Sequence, residues 1–243
     1  MPADSLAVAV DSLPAAWTAH YFDTVDSTQD VARTAARDGA SGRSLFVADY
    51  QRAGHGRRAR TWLAAPGTAL LMSILFREAH ADSRPWRFTS LASMALLDTV
   101  SDFVSRSRLA IKWPNDVMLD DKKLAGVLAE TAWNGADLQA IVGVGVNVTA
   151  SPDLPGVTHL GEVDRGELLL RLVARLDYWL CQPDDCLVAA WQACLWRRGQ
   201  RLRLLDLGRD EHVTVLGADA DGSLRVRLAD GTERRTVTGE LLA

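Results

Sequence analysis

The segment Gln51-Arg52-Ala53-Gly54-His55-Gly56-Arg57-Arg58-Ala59-Arg60-Thr61-Trp62 sets four arginines within nine residues, with two glycines between them. Gly54-x-Gly56-x-x-Ala59 has the outline of a dinucleotide fingerprint. That fingerprint must open a helix. Here Pro66-Gly67 follows, and then the continuous apolar run Ala69 to Phe76, which reads as a buried strand. The dinucleotide fingerprint is therefore rejected. Glycine lets backbone approach a ligand closely, and guanidinium forks bind phosphate or carboxylate. The segment reads as an anion-binding loop that orders on its ligand. A solvated charged surface loop is the alternative.

Outward from the loop, the pattern is mixed. Residues 1–20, with Pro2 and Pro14, read as a loose lead-in. Ser27 can cap a helix that Gly39 stops, with Asp30 in its first turn. Ser44 to Tyr50 reads as a strand. Pro85 and Trp86 open a helix to about Ser105, apolar nearly all round and hence central. Leu109 to Trp113 is a strand ending on the turn Pro114-Asn115-Asp116. Val117 to Leu119 and Leu124 to Trp133 flank Asp120-Asp121-Lys122. Asn134-Gly135 is a hairpin signal before Gln139 to Val148. Helices follow at Glu167–Leu180 and about Pro183–Trp196. Beyond Arg198 short alternating strands (Arg201–Leu205, His212–Leu216, Leu224–Leu228, Arg234–Thr238) imply a small, nearly neutral β-barrel.

Composition bounds the class. The chain has 243 residues, 48% hydrophobic and 24% charged, which suits a folded globule of one or two domains. The net charge of −4 opposes a surface built to grip nucleic acid. No uncharged run reaches the roughly 18–20 residues of a spanning helix. No basic n-region precedes Arg33, so a secretory signal is not expected. Cys181, Cys186 and Cys194 read as buried, reduced thiols of a cytoplasmic protein.

Several segments carry chemistry. Lys112 and the Asn115-Asp116 turn close a strand, where Lys meets phosphate and the two oxygen-bearing side chains suit Mg²⁺. A solvent-facing turn is the alternative. Lys123 to Glu130 starts a strand with a lysine at its mouth, although either Lys122 or Lys123 could be the ordinary turn residue. Gly143 and Gly145 share a strand face and suggest a bare floor under a ligand, with Asn147 polar at the far end; a bulge is the alternative. Together these point to a site for an anionic nucleotide and a flat or elongated apolar ligand.

Asp26-Ser27-Thr28-Gln29, Gln51 to Trp62, Lys112 to Leu119, Lys123 to Glu130 and Gly143 to Asn147, in that order, resemble the biotin–protein ligases over roughly residues 20–243. The resemblance implies an α+β fold. A mixed-sheet catalytic domain over 1–197 would carry an SH3-like β-barrel over 198–243, ending Thr238-Gly239-Glu240. It implies ATP-dependent activation of biotin as biotinyl-adenylate, release of pyrophosphate, and transfer to a lysine of a biotin carboxyl carrier protein. It implies that Ser27, Thr28, Gln51, Gly54 and His55 form the pocket that hydrogen-bonds the ureido ring, with Gln29, Gly56 and Arg57 also binding biotin. Gly126, Leu128, Gly143 and Gly145 would line the biotin slot. Arg57, Arg58, Arg60 and Trp62 would cover the adenylate, and Lys112, Asn115, Asp116 and Asn147 would lie on its nucleotide side. Asp116 would face Mg²⁺. Lys123 would sit between the biotin carboxylate and the α-phosphate, with Lys123 and Arg57 as the catalytic pair.

Three positions depart from the family pattern: Gln29 stands for a common Asn, His55 for Arg and Ala59 for Gly. About 25 residues precede the motifs, so no DNA-binding domain is expected; the short uncharged runs argue against a membrane partner, and a homodimer remains compatible. Lipoate ligases and octanoyl transferases share the implied fold, and the Arg-rich loop with Lys112-Trp113-Pro114-Asn115-Asp116 favours biotin over them. A non-catalytic biotin holder would need neither Lys123 nor Arg57. A nucleic-acid module is opposed by the charge.

Overall fold

The computed structural model describes residues 5–78, 85–134 and 137–242. The chain runs α1 (Ser5–Asp11), β1 (Thr18–Val25), α2 (Thr28–Arg37), β2 (Ser44–Gln51), β3 (Gly54–His55), β4 (Thr61–Trp62) and β5 (Ala69–Glu78). It continues through α3 (Pro85–Val100), β6 (Leu109–Lys112), β7 (Asp116–Leu119), β8 (Lys122–Asn134), β9 (Asp137–Asn147), α4 (Arg165–Leu180) and α5 (Asp184–Ala193). The C-terminal strands are β10 (Arg201–Asp206), β11 (Arg209–Ala218), β12 (Leu224–Arg227), β13 (Glu233–Thr236) and β14 (Glu240–Leu242).

Seven strands form one mixed sheet in the order β1-β2-β5-β9-β8-β7-β6, parallel between β1 and β2 and antiparallel elsewhere. Strand side chains alternate between faces, and here that alternation separates core from site. Leu138, Ala140, Val142, Val144 and Val146 of β9 join Leu70, Met72, Ile74 and Phe76 of β5 in the main core, with α3 and α4 residues such as Phe88, Leu91, Leu169 and Leu172. The opposite face carries α2, whose Ala32 and Ala36 pack on Phe46, Leu75 and Ile141. Because α2 covers only part of that face, Ser73, Gly143 and Gly145 are left facing a cavity.

Local signals explain the elements that were foreseen. Ser27 adopts an extended conformation before α2 and its hydroxyl accepts from the Gln29 N–H. Asp120 and Asp121 both take positive φ in the tight β7–β8 turn, a conformation Asp tolerates. Gly135 of the β8–β9 connection lies outside the described residues; the flanking strands pair down to Asn134 and Asp137.

Three expectations are corrected. Residues 5–25 are ordered, not a lead-in. Leu6, Ala9 and Val10 recur at helical spacing and are buried in the core beneath α4, and β1 is a half-exposed edge strand whose alternation is weak in the sequence. The long helix ends at Val100 instead of Ser105. The three cysteines are free, but Cys181 and Cys186 are exposed, at the end of α4 and the first turn of α5.

The C-terminal strands form an antiparallel sheet ordered β13-β12-β11-β10-β14. The fifth strand, β14, was not anticipated, and among the described residues β13 and β14 are not paired with each other, so the hydrogen bonding there is that of an open sheet. This sheet does not stand apart. Leu202, Leu204, Val213, Val215, Leu224 and Val226 belong to the same contiguous core as the large sheet. The indole N–H of buried Trp113 donates to Gly222 O at 2.9 Å, and Ile111 N–H donates to Cys194 O at 2.8 Å. Among the described residues no helix is long and apolar enough to cross a membrane.

Candidate active site

One cavity collects most of the residues singled out from the sequence. Ser27, Thr28, Gln29, Gln51, His55, Gly56, Arg57, Arg58, Arg60, Trp62, Lys112, Asn115, Asp116, Lys123, Gly126, Leu128, Gly143 and Gly145 all line it. Gly54 and Asn147 do not. Gly54 is pressed between Gln51 and Trp62, where a Cβ would fall 2.8 Å from Gln51 Nε2. Asn147 is buried at the end of β9 and donates to Thr158 O at 3.0 Å, tying the following loop to the sheet.

At one end of the cavity, the buried side chains of Thr28, Gln29 and Ser73 pack together with half-buried Gln51. Gln51 Oε1 accepts from the Thr28 backbone N–H at 2.7 Å and from Thr28 Oγ1 at 2.9 Å. Thr28 Oγ1 lies 2.8 Å from Ser73 Oγ, which donates to Gln29 Oε1 at 3.0 Å. The Gln29 amide donates to Ile141 O at 3.2 Å. Two hydroxyl hydrogens face three oxygen–oxygen approaches, so the cluster has more acceptors than donors. A ligand presenting N–H groups matches it. Ser73 was missed in the sequence, although it is the one polar residue inside the run Ala69 to Phe76 and alternation puts it on the site face.

The floor differs from the expectation of bare glycines. A Cβ on Gly145 would fall 2.6 Å from the Trp62 indole, and one on Gly126 would fall 3.3 Å from it. A Cβ on Gly143 would fall 2.7 Å from Gln29 Oε1. Each glycine thus makes room for a side chain of this chain, and Trp62 forms an aromatic wall over the slot. Its indole N–H is buried with no hydrogen-bond partner among the described residues.

The other end is cationic. Lys123 Nζ is 2.8 Å from Asp116 Oδ1 and sits 5.6 Å from the Trp62 ring centre. A bulge decides which lysine reaches the site. Val117 pairs with Ala125 but Met118 pairs with Lys123, so Leu124 is the extra residue. Leu124 and Ala125 both enter the core. The shift by one residue moves Lys123 onto the face of Gly126 and Leu128, while Lys122 stays exposed. Lys112 closes β6 beside the turn containing the cis Trp113–Pro114 peptide, and burial pulls its ammonium below the ordinary lysine value. Burial does the same to Arg57, aided by the neighbouring Arg58. Arg57 donates to Asn115 Oδ1 at 3.2 Å, and Asn115 donates in turn to Val127 O at 2.7 Å.

Glu240 of β14 was also missed. It accepts from Arg60 at 3.1 Å and lines the cavity, bringing the C-terminal sheet to the loop. The Arg60 hydrogen bond holds its carboxyl below the usual value against the opposing effect of burial. It lies 180 residues from its partner, beyond the reach of any spacing argument. Among the described residues no three His, Cys, Asp or Glu side chains cluster to hold a metal.

The sequence profile of the Biotin/lipoate A/B protein ligase family matches residues 21–147. The chain belongs to this family. The match spans every cavity-lining residue except Gly239 and Glu240. Among relatives of this ligase-family chain, the biotin–[acetyl-CoA-carboxylase] ligase of Paracoccus denitrificans is 33% identical over 207 residues, covering 78% of this chain and 86% of that one. The enzyme of the same name from Mycobacterium tuberculosis is 31% identical over 200 residues, covering 77% and 73%. The biotin protein ligase of Aquifex aeolicus, solved in complex with biotin and ATP, superposes with a TM-score of 0.76 at 24% identity over 92% of this chain and 97% of that one. That likeness establishes the shared fold.

Proposed function

We propose that this chain is an ATP-dependent biotin–protein ligase. The observation that carries the proposal is the polarity of one continuous cavity. It has an acceptor-rich buried end at Thr28, Ser73, Gln29 and Gln51, an aromatic wall at Trp62, and Lys123, Lys112 and Arg57 at the far end. Biotin has the same order of groups: a ureido ring with N–H donors, an apolar body, and a carboxylate.

The reaction needs two anions brought together. A biotin carboxylate oxygen attacks the α-phosphorus of ATP, the bond to the bridging oxygen breaks, and pyrophosphate leaves. Lys123 lies where the carboxylate and the α-phosphate would meet, and its charge offsets their repulsion and the charge that develops at phosphorus. Asp116 orients Lys123 through their ion pair. Lys112 and Arg57, both poorly solvated, give up little hydration when they meet phosphate oxygens. The Arg57-Arg58 loop and Trp62 then cover the mixed anhydride and keep water from it. In the second step a carrier lysine amine attacks the acyl carbon, AMP departs with the C–O bond electrons, and the amine proton is lost to solvent.

Magnesium fits this donor set. It takes oxygen ligands, one or two from carboxylates and the rest from phosphates and water. Asp116, with its second carboxylate oxygen beyond the Lys123 contact, would hold it, and Asn115 is the neighbouring oxygen donor. When bound it would supply neutralisation of phosphate charge. The carrier partner would be a biotin carboxyl carrier protein of the cytoplasm, and the 198–243 part would serve the loop through Glu240.

The test is exchange of radiolabelled pyrophosphate into ATP, with biotin, lipoate or octanoate, for wild type and Lys123→Ala. Biotin-dependent exchange that falls by about 10²–10³ in the variant is expected. Exchange driven by lipoate or octanoate instead would change the substrate, and biotin binding without any exchange would make the chain a holder.

A further inference from the structure

The loop over the cavity is an arch with a strained crown. Arg58 and Ala59 both take positive φ, 55° and 58°, a conformation that costs L-residues roughly 1–2 kcal/mol each. The base is closed by Gly56 N–H donating to Arg60 O at 2.8 Å and by the short β3–β4 ladder. Side-chain anchors then reach it from three separate elements. Arg57 is tied to Asn115, and Arg60 to Glu240. The third is His55, whose Nε2 lies 2.9 Å from Asp30 Oδ2 in the first turn of α2.

The third anchor differs in kind. The other two are made by guanidinium groups, which stay charged. Histidine is the side chain that changes charge between pH 5 and 8. Asp30 is itself braced: Arg33, one helical turn on, pairs with it and also grips both oxygens of Glu130 on β8 at 3.2 and 3.0 Å. Burial pushes the Asp30 carboxyl up, but the hydrogen bonds from His55 and Arg33 outweigh it and hold the group ionised. The charged groups around His55 are Asp30 and Arg33 from α2, Glu130 from β8, and Arg57 and Arg58 of its own loop, which line one open recess beside the main cavity.

We propose that Asp30, braced by Arg33 and Glu130, is a positioning residue for the adenylate-covering loop. Acting through His55, it holds the arch down and makes the residence time of the adenylate fall as pH rises. A charge-assisted hydrogen bond is about twice as strong as a neutral one. Imidazolium therefore holds Asp30 firmly, while neutral imidazole can still donate one N–H and holds it weakly. The proposal rests on the ligase reading above. It needs the arch to close over a bound adenylate.

The test measures first-order release of preformed biotinyl-adenylate from the full chain between pH 5.5 and 8.5. In wild type, release should quicken by roughly three- to tenfold across that range, the size of one partly exposed charge-assisted contact. His55→Arg should release slowly at every pH, because its charge does not titrate. Asp30→Asn should release fast at every pH, and the His55→Arg, Asp30→Asn double variant should also be fast. Asp30 is half exposed at a helix end, so this substitution leaves the core untouched. A wild-type rate flat with pH, or Asp30→Asn releasing like wild type, would overturn the proposal and leave the ligase reading intact. A wild type that shows no biotin-dependent pyrophosphate exchange would overturn both.

Discussion

Replacing Gly143 by alanine sets one methyl group against the buried polar cluster. The new Cβ would lie 2.7 Å from Gln29 Oε1, well inside van der Waals contact. The amide is at the end of a flexible side chain, but it is not free to yield. It is 3% exposed, accepts from Ser73 and donates to Ile141 O. Moving it leaves a buried hydroxyl and a buried carbonyl short of partners, at about 1–3 kcal/mol for each group stranded. Some relaxation of the Gln29 rotamer lowers the sum, so a loss of about 2 kcal/mol is expected, or about 4–8 °C in melting temperature for a chain of this length. Biotin affinity should fall by at least tenfold, because the acceptor cluster is the end of the slot that Gln29 shapes. Calorimetric titration with biotin and denaturant unfolding would read both quantities. The control is the double variant Gly143→Ala, Gln29→Ala, which removes the clashing amide. Its loss should be smaller than the sum of the losses in Gly143→Ala and Gln29→Ala, giving a coupling energy of the order of 1 kcal/mol. A Gly143→Ala protein with wild-type biotin affinity and stability, or a double variant whose losses simply add, would refute the argument that Gly143 exists to admit Gln29.

Other outcomes follow from the same geometry. Lys123→Ala should abolish most pyrophosphate exchange while Lys122→Ala stays within about twofold of wild type, and equal losses would contradict the bulge at Leu124. Trp113→Phe removes a buried N–H donor to Gly222 O and should cost about 1–3 kcal/mol in urea unfolding, without changing the slope. Glu240 has a lowered carboxyl value, so its hold on Arg60 is present above the ordinary carboxylate range and is lost as pH falls through the lowered value. Amide exchange in residues 57–60, corrected for intrinsic rate, should therefore quicken on acidification below the ordinary carboxylate range and should already be fast at neutral pH in Glu240→Gln. Protection that survives in that variant would mean the C-terminal sheet does not hold the loop.

Much of the site was readable because its chemistry is local. Ser27 before a helix, arginines among glycines, and a Lys-Trp-Pro-Asn-Asp strand end each state a role in a few residues. The reading weakened where small residues carried the information. Leu6, Ala9 and Val10 sit at helical spacing in an alanine-rich stretch, and β1 is an edge strand with half its residues exposed. Neither offers the sharp contrast of apolar and polar positions on which pattern reading depends. Gly143 and Gly145 were rightly seen to share a face, but what stands over them was not visible, since Gln29 and Trp62 arrive from elsewhere in the chain.

The sequence by itself determined most of the helices and strands from Ser27 onward and the residue types gathered for an anionic nucleotide and an apolar ligand. These follow from hydrophobic period, caps and turn residues, all of which act over a few positions. Three things were decided only in the tertiary structure. The bulge at Leu124 chose Lys123 over Lys122, because packing two consecutive residues into the core reverses the strand's faces beyond them. Ser73 became part of the acceptor cluster because β5 lies beside β9 and α2 crosses above. Glu240 reached Arg60 because the C-terminal sheet shares the core of the large one. Contacts across 180 residues are set by how surfaces close on each other, and no local pattern encodes that closure.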